Sequence, residues 1–234
     1  MRTRSPRRFV HRAMFHSRRH FLGACSGVLT LFSGTGHAAD EWMSTHPEEW
    51  TPADIQTILN RSSWVKGVYP ELSPAWLHSL EKGGKRIVAA DGIRDKRILT
   101  EFTVLVRWES GLPIRLARKS ADLPAHYLLS VSRIPLAFIT SMAGGAQPKD
   151  REALAQQMLQ ASSLQRAGKD PIPADHVAWT ESDFEPRLTI SFPRGDQPLE
   201  ASDGAVTFSS QMGYLLLRAS FPLRKMVYRG KLEL

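Results

Sequence analysis

"FTVLVRWE", residues 102–109, decides the fold. Phe102, Val104, Val106 and Trp108 alternate with Thr103, Arg107 and Glu109, the period-two pattern of a strand with one buried face. Leu105 breaks the alternation, so both faces of this strand are expected to be partly covered. Working outward, "HYLLSVS" at 126–132 reads as a second strand, with Tyr127, Leu129 and Val131 in phase. Further on, Leu188, Ile190 and Phe192 alternate with Arg187, Thr189 and Ser191. Val206 and Phe208 mark a shorter strand, and Gln211-Met212-Gly213 a hairpin turn into Tyr214–Phe221. There Leu215, Leu217, Ala219 and Phe221 point one way. Strands joined by short turns favour antiparallel pairing.

Helices are announced by their ends. In "WTPADIQTIL", Thr51 caps, Pro52 takes the first helical position and Asp54 sits near the positive end of the dipole. Trp50 and Ile55 occupy the staple positions, and Ile55, Ile58, Leu59 and Ser62 form one face. Residues 40–50 before it read as an extended lead-in. Ser73-Pro74 could start a short helix that Gly83 and Gly84 end, and residues 113–119 suit another. Residues 149–160 are amphipathic, with Leu154, Met158 and Ala161 at helical spacing. The whole predicts an α+β domain over residues 39–234, built on an antiparallel β-sheet or a small sandwich with three or four short helices.

Residues 1–38 have a different character. They carry seven arginines and no acid, then a short apolar stretch from Phe21 to Phe32, then small residues around Ala38 and Ala39. That is the pattern of a cleaved leader, too short for the ~20 apolar residues of a membrane span. Ser17-Arg18-Arg19-His20-Phe21-Leu22 resembles the twin-arginine export signal, with Arg18, Arg19, Phe21 and Leu22 in register. Leu22-Gly23-Ala24-Cys25 resembles a lipoprotein box, but Cys25 precedes most of the apolar segment. Met14 is an alternative start for a leader of ordinary length. Periplasmic or extracellular localisation is the expectation.

Removing those residues changes the electrostatics. The net charge of +8 shrinks to 24 basic against 23 acidic residues, because the leader holds seven of the 31 cations. A nucleic-acid partner loses its main support, and no membrane span is expected after processing. Cys25 is the single cysteine, so the processed chain has neither thiol chemistry nor disulfides and relies on its core.

"WTPADIQTILNRSSW", "VLVRWESGLPIRLA", "KDPIPADHV" and "LRKMVYRGKLEL" together resemble an uncharacterised family of exported bacterial proteins, seen notably in acidobacteria. The resemblance implies export and a shared domain; it carries no activity, cofactor or catalytic residue.

Candidate chemistry is sparse. Beyond residue 38 the histidines are His46, His78, His126 and His176, too far apart in sequence to form a paired metal-ligand motif. No Gly-x-Ser-x-Gly elbow occurs, and Ser130 and Ser132 read as hydroxyls on a polar strand face. "EKGGKR", residues 81–86, lacks the full phosphate-loop spacing. Glu181, Asp183 and Glu185 share one side of a strand-like run and read as a solvated edge rather than a cation site. The possible binding surface is Arg107 and Glu109, opposite Trp108, with Arg229 in the C-terminal stretch. Their bland counterparts are a surface ion pair beside a core tryptophan, and a last strand with its charges in solvent. No motif names a cofactor. The expected function is an exported, non-enzymatic binding or interaction domain with an envelope protein or glycan as partner; the alternative is an envelope or secreted hydrolase of unrecognised type.

Overall fold

In the computed structural model, described for residues 41–74, 102–120, 124–135, 148–180, 187–196 and 198–234, the alternating stretch lies next to the edge of a sheet. Helix α1 (Pro52–Arg61) leads into β1 (Val65–Val68) and β2 (Glu71–Leu72). Strand β3 (Val104–Trp108) is followed by helix α2 (Leu112–Ala117) and β4 (His126–Ser132). Helix α3 (Pro148–Ala161) precedes β5 (Ser163–Arg166), β6 (Lys169–Pro173), β7 (His176–Thr180) and β8 (Arg187–Pro193). The chain ends with β9 (Ala205–Met212), β10 (Leu215–Pro222), β11 (Val227–Tyr228) and β12 (Lys231–Leu232).

Two five-stranded antiparallel sheets result, ordered β1-β3-β4-β8-β7 and β2-β10-β9-β5-β6. Their apolar faces meet. Trp108 of β3 packs edge-on against Phe221 of β10, with ring centroids 5.5 Å apart. Phe192 of β8 meets Phe208 of β9 in the same way at 6.2 Å. Sandwich and helices together make the α+β fold expected from the sequence. Helix α3 packs against both β7 and β9, tying one sheet to the other. Leu154, Ala155 and Met158 are its buried residues, whereas Ala161 is exposed and does not extend that face.

The start of α1 follows its sequence closely. Thr51 Oγ1 accepts from the Asp54 backbone N–H, and the Asp54 carboxylate accepts from the Thr51 N–H, a complete capping box with Pro52 at the first turn. Ile58 and Ser62 are buried on its inner face.

Elsewhere local patterns were misleading. The lead-in is two short 3-10 turns, Glu41–Met43 and Pro47–Glu49, that bury Trp42 and Trp50 rather than an extended segment. Those rings join Trp64 and Tyr228 in one aromatic cluster, Trp42 stacking on Tyr228 at 6.0 Å. The C-terminal stretch is therefore not a strand of either main sheet. It forms a separate two-stranded hairpin that places Met226 and Tyr228 in the core. Strand β9 is longer than expected, and the turn is Gly213-Tyr214, one step later. Gly213 sits at φ +60, the conformation its place as first turn residue demands. Gly111 is required for another reason: a Cβ there would run into the Trp64 indole. Strands β1, β5, β6 and β7 were not foreseen individually, because each is short or rich in proline and polar residues. The expected helix from Ser73-Pro74 and the "EKGGKR" turn fall largely outside the described residues.

Candidate functional site

The register of the first sheet builds the site. Arg107 lies opposite Val65 on one side and Ser130 on the other, and Ser130 lies opposite Thr189. Leu105 lies opposite Ser132, and Arg187 opposite Thr180. Residues two apart on a strand share a face, so Arg107, Glu109, Ser130, Ser132 and Arg187 all project from the side away from Trp108. That side is not open to water. Helix α1 lies against it, and Arg107 Nε donates 2.7 Å to the Leu59 carbonyl near the end of that helix. All five residues of β3 are buried, as the break at Leu105 implied.

Glu109 is the hub. Its Oε1 accepts from Ser130 Oγ at 2.5 Å and from Arg107 Nη1 at 3.3 Å, and lies 3.6 Å from Arg187 Nη1. Its Oε2 lies 3.0 Å from Arg118 Nε, just beyond α2. The Arg107–Glu109 pair is correctly placed by sequence but is not a surface pair: the two side chains are 8% and 12% exposed. Arg118 and Arg187 reach further out, at 29% and 21%. Among the described residues one carboxylate thus serves three guanidinium groups. Burial pushes the Arg118 guanidinium below its ordinary value; Glu109 opposes this, and Arg187 and Arg107 add to it. Among the described residues three guanidinium groups thus lie close together in a partly desolvated place.

A cleft of about 210 Å³ opens at this point. Arg107, Arg118, Arg187 and Ser132 come from the sheet side and the end of α2; Gln56, Leu59 and Asn60 come from α1. A second cleft, about 430 Å³, adjoins it across α1 and shares Gln56 and Asn60, adding Ala53, Thr57, Arg61 and Arg133. Asn60 links the two: its Nδ2 donates to Gln56 Oε1 at 3.0 Å, and its Oδ1 accepts from Arg133 Nη2 at 3.0 Å. Arg133 and Lys119 both take left-handed backbone conformations, φ +61 and +56. Such residues cost energy and are concentrated at binding and catalytic sites.

Arg229 does not join this cluster. It occupies the turn of the β11–β12 hairpin at φ +50, its guanidinium 5.3 Å from the Tyr228 ring centroid. Arg118, Arg187, Gln56 and Asn60 were not found by sequence reasoning. The available signal was indirect: Ser130 and Ser132 interrupt an apolar strand, and Arg187 shares strand parity with Thr189. Ser130 gives its hydroxyl to Glu109, as a polar-face residue would. His126 instead pairs with Asp175, Nε2 to Oδ2 2.8 Å, at a place where both side chains are about two-fifths exposed. His46 lies 3.9 Å from Glu48 in an exposed pair, and His176 is exposed on β7, an edge strand. Among the described residues no group of three or more metal-ligating side chains converges. Arg18, Arg19, Phe21, Leu22, Cys25, Ala38, Ala39, His78 and the Glu181–Glu185 run lie outside the described residues.

No protein-family model, curated protein or solved structure matches this chain.

Proposed function

We propose that this chain is an exported, non-enzymatic binding domain that seats an anionic group between Arg118 and Arg187 on the covered face of its first sheet. One observation carries the proposal: three guanidinium groups converge on the carboxylate of Glu109 at the mouth of a cleft. Guanidinium forks match the oxygens of carboxylate, sulfate and phosphate, and an incoming anion would relieve the crowding of like charge. Gln56, Asn60 and Ser132 add neutral polar side chains suited to hydroxyl groups around that anion.

Titrating inorganic sulfate into the purified chain at low ionic strength is expected to give saturable, salt-sensitive binding. Arg118→Ala and Arg187→Ala should each weaken it about tenfold, the scale of a lost charge-assisted hydrogen bond. Sulfate binding indifferent to both substitutions would reject the cleft.

Export to the periplasm or the cell exterior belongs to the same proposal, supported by the leader-like residues 1–38 and the family resemblance. Arg18→Lys with Arg19→Lys should leave the precursor in the cytoplasm, and Cys25→Ser should leave export intact. Among the described residues no helix is long and apolar enough to cross a membrane. An envelope protein or glycan is the expected partner, and duplex DNA is not, given the near-balanced charge beyond residue 38. Micromolar, salt-sensitive DNA binding by residues 39–234 would overturn that exclusion.

The alternative, a secreted hydrolase, draws on the His126–Asp175 pair, which resembles a base with its orienting acid. Among the described residues no hydroxyl is hydrogen-bonded to His126, and Ser130 is engaged by Glu109. Ester hydrolysis lost on His126→Ala but kept on Arg187→Ala would favour the enzyme.

A further inference from the structure

We infer that the two adjoining clefts take one acidic oligosaccharide, its anionic group held by Arg118 and Arg187 and its next sugar lying across α1 against Arg133. This deepens the anion-binding function proposed above and rests on it. The first support is size. The smaller cleft, about 210 Å³, lies below the ~300–1,000 Å³ of ordinary small-molecule sites, while its neighbour, about 430 Å³, lies within it. One charged group or a single sugar acid fills the first; the second has room for the continuing chain.

The second support is continuity. Gln56 and Asn60 border both clefts, and Arg133 reaches Asn60, so a ligand crossing from one to the other meets polar side chains throughout. Arg61 and Arg133 give the second cleft positive charge of its own. A ligand with repeated acidic units would find a cation at each end of the path.

The third support is the kind of wall. Among the described residues neither lining includes an aromatic ring, so they offer a nucleobase no platform to stack on. A peptide is recognised through an open sheet edge or through apolar pockets for its anchors. Here the strand beneath the smaller cleft is already paired on both sides, and among the described lining residues only Leu59 and Ala53 are apolar. Hydroxyl and acid groups fit such walls; apolar side chains do not.

Calorimetric titration of the full chain tests this with defined probes: inorganic sulfate, galacturonate, trigalacturonate, a sulfated heparin-derived tetrasaccharide, neutral cellotriose and hexaglutamate. Trigalacturonate or the sulfated tetrasaccharide should bind at least about tenfold more tightly than galacturonate, and cellotriose should not bind. Tighter binding of trigalacturonate than of the sulfated tetrasaccharide would assign the anion as a carboxylate. Arg133→Ala should remove the oligosaccharide advantage and leave sulfate binding within about twofold. Arg133→Gly removes the same guanidinium while suiting the left-handed backbone, and should give the same result. Equal affinity for galacturonate and both oligosaccharides, no effect of either Arg133 variant, or tighter binding of hexaglutamate would overturn the oligosaccharide. In all three cases retained sulfate binding that depends on Arg187 would leave the anion cleft standing. Absence of sulfate binding would remove the underlying function itself.

Discussion

Strands β9 and β10 of the second sheet bury alternate residues along their whole length, whereas β3 of the first sheet buries all five of its residues. In each strand polar residues stand among the positions that alternate with the core face, interrupted by Leu105 in β3 and by Leu216 in β10. In the second sheet Thr207, Ser209, Arg218 and Ser220 of those strands stay half-buried or exposed. In the first, helix α1 lies over the polar positions and encloses Arg107, Glu109 and Ser130. One polar stripe faces outward; the other is enclosed. The difference is made by what covers the sheet, and burial of charge is tolerated only where partners are arranged for it.

Trp108 and Glu109 are neighbours in sequence on opposite faces of the sheet, and replacing each should expose the contrast. Trp108 is fully buried between Tyr127 and Phe221. Its replacement by alanine is expected to cost about 3–5 kcal/mol, the usual range for a large aromatic, and to leave little cooperative unfolding in calorimetry. Its indole N–H has no hydrogen-bond partner among the described residues, so Trp108→Phe should cost far less than Trp108→Ala. A mild alanine variant would mean that the two sheets are less tightly joined than their ring contacts indicate.

Glu109→Gln keeps the shape and removes the counter-charge. We expect about 2–3 kcal/mol of destabilisation in low salt, less than the ~3–5 kcal/mol of a fully buried pair because Arg118 and Arg187 are partly exposed. Sulfate should restore more stability to this variant than to the unaltered chain, since the anion replaces the missing charge. Equal stabilisation of both by sulfate, in chemical denaturation, would show that the three arginines do not act as one cluster.

On the second sheet Arg218→Ala should change stability by no more than about 0.5 kcal/mol, as is usual for exposed positions, and leave sulfate affinity untouched. A large loss would mean that its outer face is also a built surface.

These contrasts explain what could be read in advance. Period-two alternation revealed the central strands because β3, β4, β8, β9 and β10 each have one face in the core. The break at Leu105 even announced the second cover. The site itself was half legible: Arg107 and Glu109 stood out, but their partners come from α1, from the end of α2 and from β8. Arg187 is 78 positions beyond Glu109 and Gln56 is 53 before it, and no local pattern specifies which distant strand or helix a charge will face. The aromatic lead-in failed for the same reason, since Trp42 is buried by Tyr228 from the opposite end of the described chain.

An effect smaller than the loss of Trp108 or Glu109 should come from the far end of the cover, at the capping box of α1. Hydrogen bonds from the Thr51 hydroxyl and backbone N–H hold the exposed Asp54 carboxyl below its usual value of 3.8. A carboxyl depressed in the folded state stabilises it fully above its unfolded value, and the contribution fades as pH falls through the folded one. Thr51→Ala should therefore lower the melting temperature by about 2–4 °C at neutral pH, the scale of a lost cap in a domain of this size. Asp54→Asn removes the charge directly. Its deficit against the unaltered chain should stay constant above about pH 5 and close progressively below the usual carboxyl value. If the deficit persists undiminished into acid, Asp54 is not acting as an ionised cap. If instead sulfate affinity falls along with the melting temperature, the start of α1 holds the cleft's far wall in place as well as the helix.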